Sequence, residues 1–338
     1  MRTRYVSLNE HVPQGPLRLE HFGLKEGTLP ELAKDEVLLR PVAISVDPYM
    51  RACMTGGDNY TWGNPQYEIG RPISSWGVAR VEASRNDDVG PSATVTGLVN
   101  WADLSIWRRA SGPLSDLQPL DPVIKKPSHA LGALGHGGLT AYYGIVDVAR
   151  PKAGETMLIS GAAGCVGSVA GQVARQLGVR VFGLAGTDEK CRILTERLKF
   201  DGAINYKSPD LEGAIRALLP DGPDIYFDNV GGDLTERIMW LMRRRARVIE
   251  CGQIATYDNA GGFQVNVNPI HTNGLQWEGF TTIPYFDWAP GAYAQLAHWM
   301  RTGRMVALET ERHGLESLPG AMVGLMRGEN IGKMVVSL

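Results

Sequence analysis

The sequence predicts a two-domain α/β protein, one domain a doubly wound parallel sheet and the other irregular and β-rich. Three observations carry this expectation. The chain has 338 residues, more than one ordinary core serves at roughly 150 residues per domain. Its texture changes near Leu131, and a glycine-rich bend at residues 160–167 joins a strand-like run to a helix-like one.

Before the change, from about Glu36 to Thr96, short β-rich runs such as Val37 to Val46 and Gly77 to Ala83 alternate with Gly/Pro/Asp turn clusters. That is the pattern of an irregular β domain. From Leu131 to about Met305, strand-like runs alternate with segments of helical length. Met157–Ser160, Arg180–Leu184, Gly202–Asn205, Ile225–Asp228 and Arg247–Cys251 read as buried strands, and repeated β-α units imply a parallel sheet with helices on both faces. The apolar tail Lys333–Leu338 is expected to return to the first domain as a strand. The expected partition is 1–130 plus 306–338, and 131–305.

Composition narrows the function. Hydrophobic residues at 43% and charged residues at 21% suit a globular protein, and no stretch of ~20 apolar residues is present to span a bilayer. The opening MRTRYVSLNEHVPQG lacks the apolar core of a secretion signal, so a cytoplasmic location is expected. A formal net charge of -2 provides no general field for nucleic acid. Arg243, Arg244, Arg245 and Arg247 read as the solvated end of a helix before the strand that begins near Val248, in preference to an anion patch.

Cys53, Cys165, Cys191 and Cys251 are scattered without a CxxC pair, which suits reduced structural thiols. A catalytic zinc needs about three converging Cys, His or carboxylate ligands. No His follows Cys53 at ligand spacing, and His129, His136 and His271 stand apart, so no metal is expected. Cys53 and Cys165 have no nearby base or motif that marks a nucleophile.

The sharpest signal is Ser160-Gly161-Ala-Ala-Gly164-Cys-Val-Gly167, followed by a helix whose small face includes Ala170, Gly171 and Ala174. A dinucleotide pyrophosphate rests on the amide N–H groups of a helix N-terminus, and a side chain there blocks its approach. The next strand chooses the cofactor. NAD-binding sheets place Asp or Glu at its end for the ribose 2′-hydroxyl, but Ala185 and Gly186 stand here, with Lys190 one turn on. NADP(H) is therefore expected. Asp188, beside Thr187, reads as first-turn helix chemistry.

Several ordered motifs accompany this loop: Asp47-Pro48-Tyr49-Met50-Arg51, Gly138-Leu-Thr140-Ala-Tyr142, Asp188-Glu-Lys190, Asn205-Tyr206-Lys207, Phe227-Asp-Asn229-Val-Gly-Gly232, Cys251-Gly-Gln-Ile-Ala-Thr-Tyr257 and Gly328-Glu-Asn330-Ile-Gly-Lys333. With them the chain resembles, over nearly its whole length, the medium-chain dehydrogenase/reductase superfamily. Within it, the similarity is to the zinc-free leukotriene B4 dehydrogenase/prostaglandin reductase and 2-alkenal reductase group. The resemblance implies a Rossmann domain and a GroES-like catalytic domain that the tail rejoins, and it suggests a homodimer. It also implies that Gly164, Cys165, Val166 and Gly167 cradle the pyrophosphate and that Lys190 and Tyr206 hold the 2′-phosphate end. Thr140, Asn229, Cys251, Gly252, Ile254, Thr256, Tyr257, Phe280, Thr282 and Asn330 then line the rest of the dinucleotide. Three departures stand out: His136 where relatives often carry Met before Pro, Trp76 for a Phe or Tyr, and Arg245-Ala246 for a glycine pair.

Without a metal, another group must steady charge on the substrate oxygen. A phenol with a pKa near ~10 donates a hydrogen bond or proton while remaining neutral at pH 7. Tyr257 is the first candidate, and its family counterpart has this kind of role; Tyr49 resembles a tyrosine that walls the substrate cleft. The expected activity is NADPH-dependent reduction of the carbon–carbon double bond of a small α,β-unsaturated aldehyde or ketone. The alternatives are quinone reduction and a non-catalytic NADPH-binding protein.

Overall fold

The computed structural model describes residues 1–57, 65–109, 116–259 and 263–338, and all counts refer to these. The chain divides into two compact units: one holds Met1–Leu131, a short piece from Asp258 and Glu309–Leu338, and the other holds Gly132–Tyr257 and the later chain to Leu308.

In the second unit a six-stranded sheet has the order Gly202–Asn205, Arg180–Ala185, Thr156–Ile159, Ile225–Asp228, Arg247–Glu250, Gln276–Gly279. Every neighbouring pair is parallel. The two middle strands, Thr156–Ile159 and Ile225–Asp228, are buried at every residue, because helices cover both faces of a parallel sheet and leave no polar side. Strand order reverses between these two strands, and the crevice at such a reversal is where doubly wound sheets bind ligands.

The expected strands stand with small shifts. The first is Thr156–Ile159. The fifth ends at Glu250, because the Cys251 and Gly252 amides both donate to the Asp228 carbonyl and the chain is already turning. The sixth, Gln276–Gly279, has no sequence signal: it is a mostly exposed edge strand, recognised only by its pairing with Arg247–Glu250.

The arginine run is corrected. The preceding helix ends at Met239, so Arg243 lies on a turn, where it pairs with Asp221 and Asp224, and Arg247 opens a strand and pairs with Glu155. Two of the four charges are thus answered by carboxylates. Arg245 holds the left-handed conformation (φ 62°) that explains a glycine at this turn in relatives.

The first unit is built on a seven-stranded sheet with Val37–Val46 at its centre, antiparallel to Ser74–Ser84 and to the tail strand Lys333–Ser337. Val37, Leu39, Ile44 and Val46 are buried in one cluster with Met334 and Val336, each aliphatic chain contributing about 2 kcal/mol of transfer free energy. Glu309–His313 adds an edge parallel to the tail. Trp76 packs against Ala43, Val78, Leu131 and Val335, so its place is in the packing of this sheet. No helix among the described residues is long and apolar enough to cross a membrane.

Candidate active site

The glycine bend forms because Thr156–Ile159 must turn directly into a helix beneath its own end. Gly161 takes φ 56°, a left-handed conformation that costs a side-chain-bearing residue about 1 kcal/mol or more. Its carbonyl accepts from Gly164 N at 2.9 Å. Gly164 is the N-cap of the helix Cys165–Gln176 and caps it with no side chain, which leaves the first-turn amides to an incoming anion. Gly167 differs from expectation. It is buried, and a carbon added there would lie 2.5 Å from the Gly161 carbonyl oxygen and 2.8 Å from Ala162 Cα. Its glycine serves the packing of helix on strand end, while Gly164, Cys165 and Val166 are the partly exposed rim.

Beside the bend, Asp228 is fully buried and accepts hydrogen bonds from Ser160 Oγ at 2.7 Å, Tyr226 OH at 3.0 Å, the amides of Val230 and Gly231, and Thr235 Oγ1. Five donors hold a charge that would otherwise be costly to bury. The hub fixes the next residue: Asn229 donates from Nδ2 to Ser160 O at 2.7 Å, and its amide donates to Ser160 Oγ at 2.9 Å. Asp228 and Ser160 stand within sequence motifs that by themselves assign them no role; an acid ending an apolar strand before paired glycines is the available signal.

At the end of the second strand, Thr187 accepts from the Lys190 amide at 3.2 Å and Asp188 accepts from Asn205 Nδ2 at 2.8 Å. Asp188 is therefore occupied as first-turn chemistry. A carbon added to Gly186 would lie 3.1 Å from the Tyr206 hydroxyl, so the phenol covers that glycine. Burial, and then the like charge of Lys207, pull the Lys190 ammonium below the usual lysine range. A half-buried cation with a second lysine nearby, a phenol and no strand-end carboxylate together fit a 2′-phosphate. Lys207 is a member that the sequence reading quoted without assigning a role.

Tyr257 follows the short turn Ile254–Thr256. A carbon added to Gly252 would lie 3.7 Å from both the Tyr257 hydroxyl and the Asn229 carbonyl oxygen, so the phenol points back to the strand ends. Burial pushes its pKa up to about 12. Burial, then Asp228 and Glu250, also hold the Cys251 thiol above its usual range, and burial raises Cys53 to about 12; neither is a thiolate at neutral pH.

A further group gathers at the helix His136–Tyr143. His136 Nε2 lies 3.2 Å from the Thr282 hydroxyl, Thr140 Oγ1 donates to the His136 carbonyl at 2.9 Å, and a carbon on Gly137 would meet Cys165 Sγ at 2.5 Å. Phe280 meets Phe227 edge-on, with ring centroids 6.5 Å apart. Tyr49 and Asn330 belong to the first unit. There Asn330 is buried and donates to Gly332 O at 2.7 Å, and burial, with Asp47 second, raises the Tyr49 pKa well above the usual phenol.

Two family models match: residues 4–112 fit the N-terminal domain of oxidoreductase and residues 165–301 fit the zinc-binding dehydrogenase model. Prostaglandin reductase 1 of Mus musculus is 37% identical, covering 94% of this chain and 93% of its own. The 2-alkenal reductase (NADP(+)-dependent) of Nicotiana tabacum is 36% identical over 91% of this chain and 88% of its own. The chain belongs to the zinc-free, NADP-dependent group of the medium-chain dehydrogenase/reductase family. The fold of that family extends across it: the crystal structure of CurA in complex with NADPH from Vibrio vulnificus superposes with a TM-score of 0.89 at 32% identity, covering 99% of this chain and 98% of the other. No group of three or more His, Cys, Asp or Glu among the described residues is placed to hold a metal ion.

Proposed function

We propose that this oxidoreductase reduces the carbon–carbon double bond of small α,β-unsaturated aldehydes or ketones, with Tyr257 as the group that steadies the substrate oxygen. The observation that carries the proposal is the Tyr257 phenol, turned to the strand ends beside Gly252 and kept protonated by burial. Gly164, Cys165 and Val166 would hold the diphosphate, with Gly167 setting the bend. Lys190 and Tyr206 would hold the 2′-phosphate, and Asn229, Cys251, Gly252, Ile254, Thr256, Phe280, Thr282 and Thr140 would line the remainder. Bound NADPH would supply the hydride, which in an enal or enone goes to the β-carbon.

The chain's own contribution is electrostatic. As negative charge collects on the substrate oxygen, a neutral O–H donor stabilises it where a carboxylate would repel it. Removing one such donor costs about 10²–10³ in kcat. The pH dependence follows by sign: the protonated phenol is the active form, and its pKa is raised to about 12, so its contribution is lost only as pH rises through that value.

Stopped-flow NADPH oxidation with a panel of 2-alkenals, enones and quinones tests the reading. Saturated carbonyl products are expected, with kcat falling about 100-fold in Tyr257→Phe and no loss assignable to Tyr257 between pH 7 and 10. No NADPH consumption with any of these compounds overturns it. Hydroquinone in place of a saturated carbonyl moves the reading to quinone reduction.

A further inference from the structure

We propose that Asp228 is a positioning residue for the loop at residues 251–255, which it sets through the peptide planes of its own turn; the inference rests on the reading above that this loop lines the dinucleotide. Three consecutive amides follow where the strand Ile225–Asp228 ends. The Asn229 amide donates to Ser160 Oγ at 2.9 Å, and Ser160 Oγ in turn donates to Asp228 Oδ1 at 2.7 Å. The Val230 and Gly231 amides donate to Asp228 Oδ1 directly, at 3.0 and 3.1 Å.

A trans peptide is planar, with its N–H and C=O pointing in opposite directions, so holding an amide also aims the carbonyl of the residue before it. The carbonyls aimed in this way are those of Asp228, Asn229 and Val230, and each accepts from the neighbouring loop. Asp228 O accepts from the amides of Cys251 at 2.8 Å and Gly252 at 3.1 Å, Asn229 O from that of Ile254 at 3.5 Å, and Val230 O from that of Ala255 at 3.0 Å. One edge of three peptide planes therefore meets the carboxylate and its serine, and the opposite edge meets the loop. An apolar side chain at position 228 would continue the strand without the cost of burying a charge, but it would give these amides no acceptor. The direction of the carboxylate is itself pinned. Four donors share Oδ1, so Thr235 Oγ1, which donates to Oδ2 from the helix Asp233–Met239, resists its rotation.

Amide hydrogen exchange in the full-length enzyme, read beside NADPH affinity, tests the inference. Removing the carboxylate threatens folding, so the probes remove its donors one at a time. Thr235→Val takes away the donor at Oδ2, and Tyr226→Phe takes away a hydroxyl that donates to Oδ1 at 3.0 Å. In each, the amides of residues 251–255 are expected to exchange about 5- to 10-fold faster, the worth of about one hydrogen bond. Those of the strand Arg247–Glu250 should keep their rates within about 2-fold. The Kd for NADPH, read by fluorescence, rises by about the same 5- to 10-fold, and Thr235→Ser, which restores the hydroxyl, returns both readouts toward the parent. Unchanged exchange at residues 251–255, or equal acceleration in loop and strand, means that Asp228 only supports the fold, and the inference falls. Faster exchange confined to the loop with an unchanged Kd means that the loop does not hold the dinucleotide. That outcome overturns the underlying reading and the inference with it, and the moved exchange rates set it apart from the first.

Discussion

Lys190 illustrates how one side chain acquires a task from its neighbours. Its ammonium is half-buried and faces the like charge of Lys207, so it is pre-arranged for an anion. Asp188 does not compete, since Asn205 Nδ2 occupies it. A charge-assisted hydrogen bond contributes about 1.5–3 kcal/mol, or roughly 10- to 100-fold in affinity. Lys190→Ala is therefore expected to raise the Kd for NADPH by about that factor and to leave that for NADH nearly unchanged, as read by fluorescence titration. Equal losses for both coenzymes would show that Lys190 supports the helix and not the 2′-phosphate.

At the scale of the element, the bend between Thr156–Ile159 and Cys165–Gln176 uses its glycines for different reasons. A carbon on Gly167 meets backbone atoms at 2.5 and 2.8 Å, and backbone cannot yield as a flexible side chain does. Gly167→Ala is expected to cost about 1–3 kcal/mol in urea unfolding. A carbon on Gly164 meets only the Gly161 carbonyl oxygen, at 3.2 Å. Gly164→Ala then costs less than about 1 kcal/mol of stability, yet it weakens NADPH binding by crowding the first-turn amides. Comparing unfolding midpoint with NADPH affinity separates the two roles; a Gly164→Ala protein that binds NADPH normally would remove that residue from the cradle.

For the molecule as a whole, pH enters through Glu250. Burial, with Asp228 second, raises its pKa to about 7, although Trp277 Nε1 donates to it at 3.1 Å. Because the folded value lies above the unfolded one, its contribution to stability is present in full below about 4.5 and is lost as pH rises through about 7. Glu250→Gln keeps the shape without the charge, so its Tm should exceed that of the parent by roughly 1–3 °C at pH 8, with the gap closing toward pH 5. A gap that stays constant with pH would mean that Glu250 does not titrate in this range.

The parts readable from residue order are those whose physics is local. Buried parallel strands appear as continuous apolar runs, as at Ile225–Asp228, and a helix start free of side chains appears as Gly164 before Cys165. The missing strand-end carboxylate after Ala185 selects NADP for the same reason. Contacts between distant residues leave no such trace. Gln276–Gly279 is a strand only because Arg247–Glu250 lies beside it; Ser160 meets Asp228 across 68 positions and Arg51 meets Asp258 across 207. A hydrogen bond depends on where two chain segments end in space, and that is set by the packing of the whole core, which no window of neighbouring residues contains.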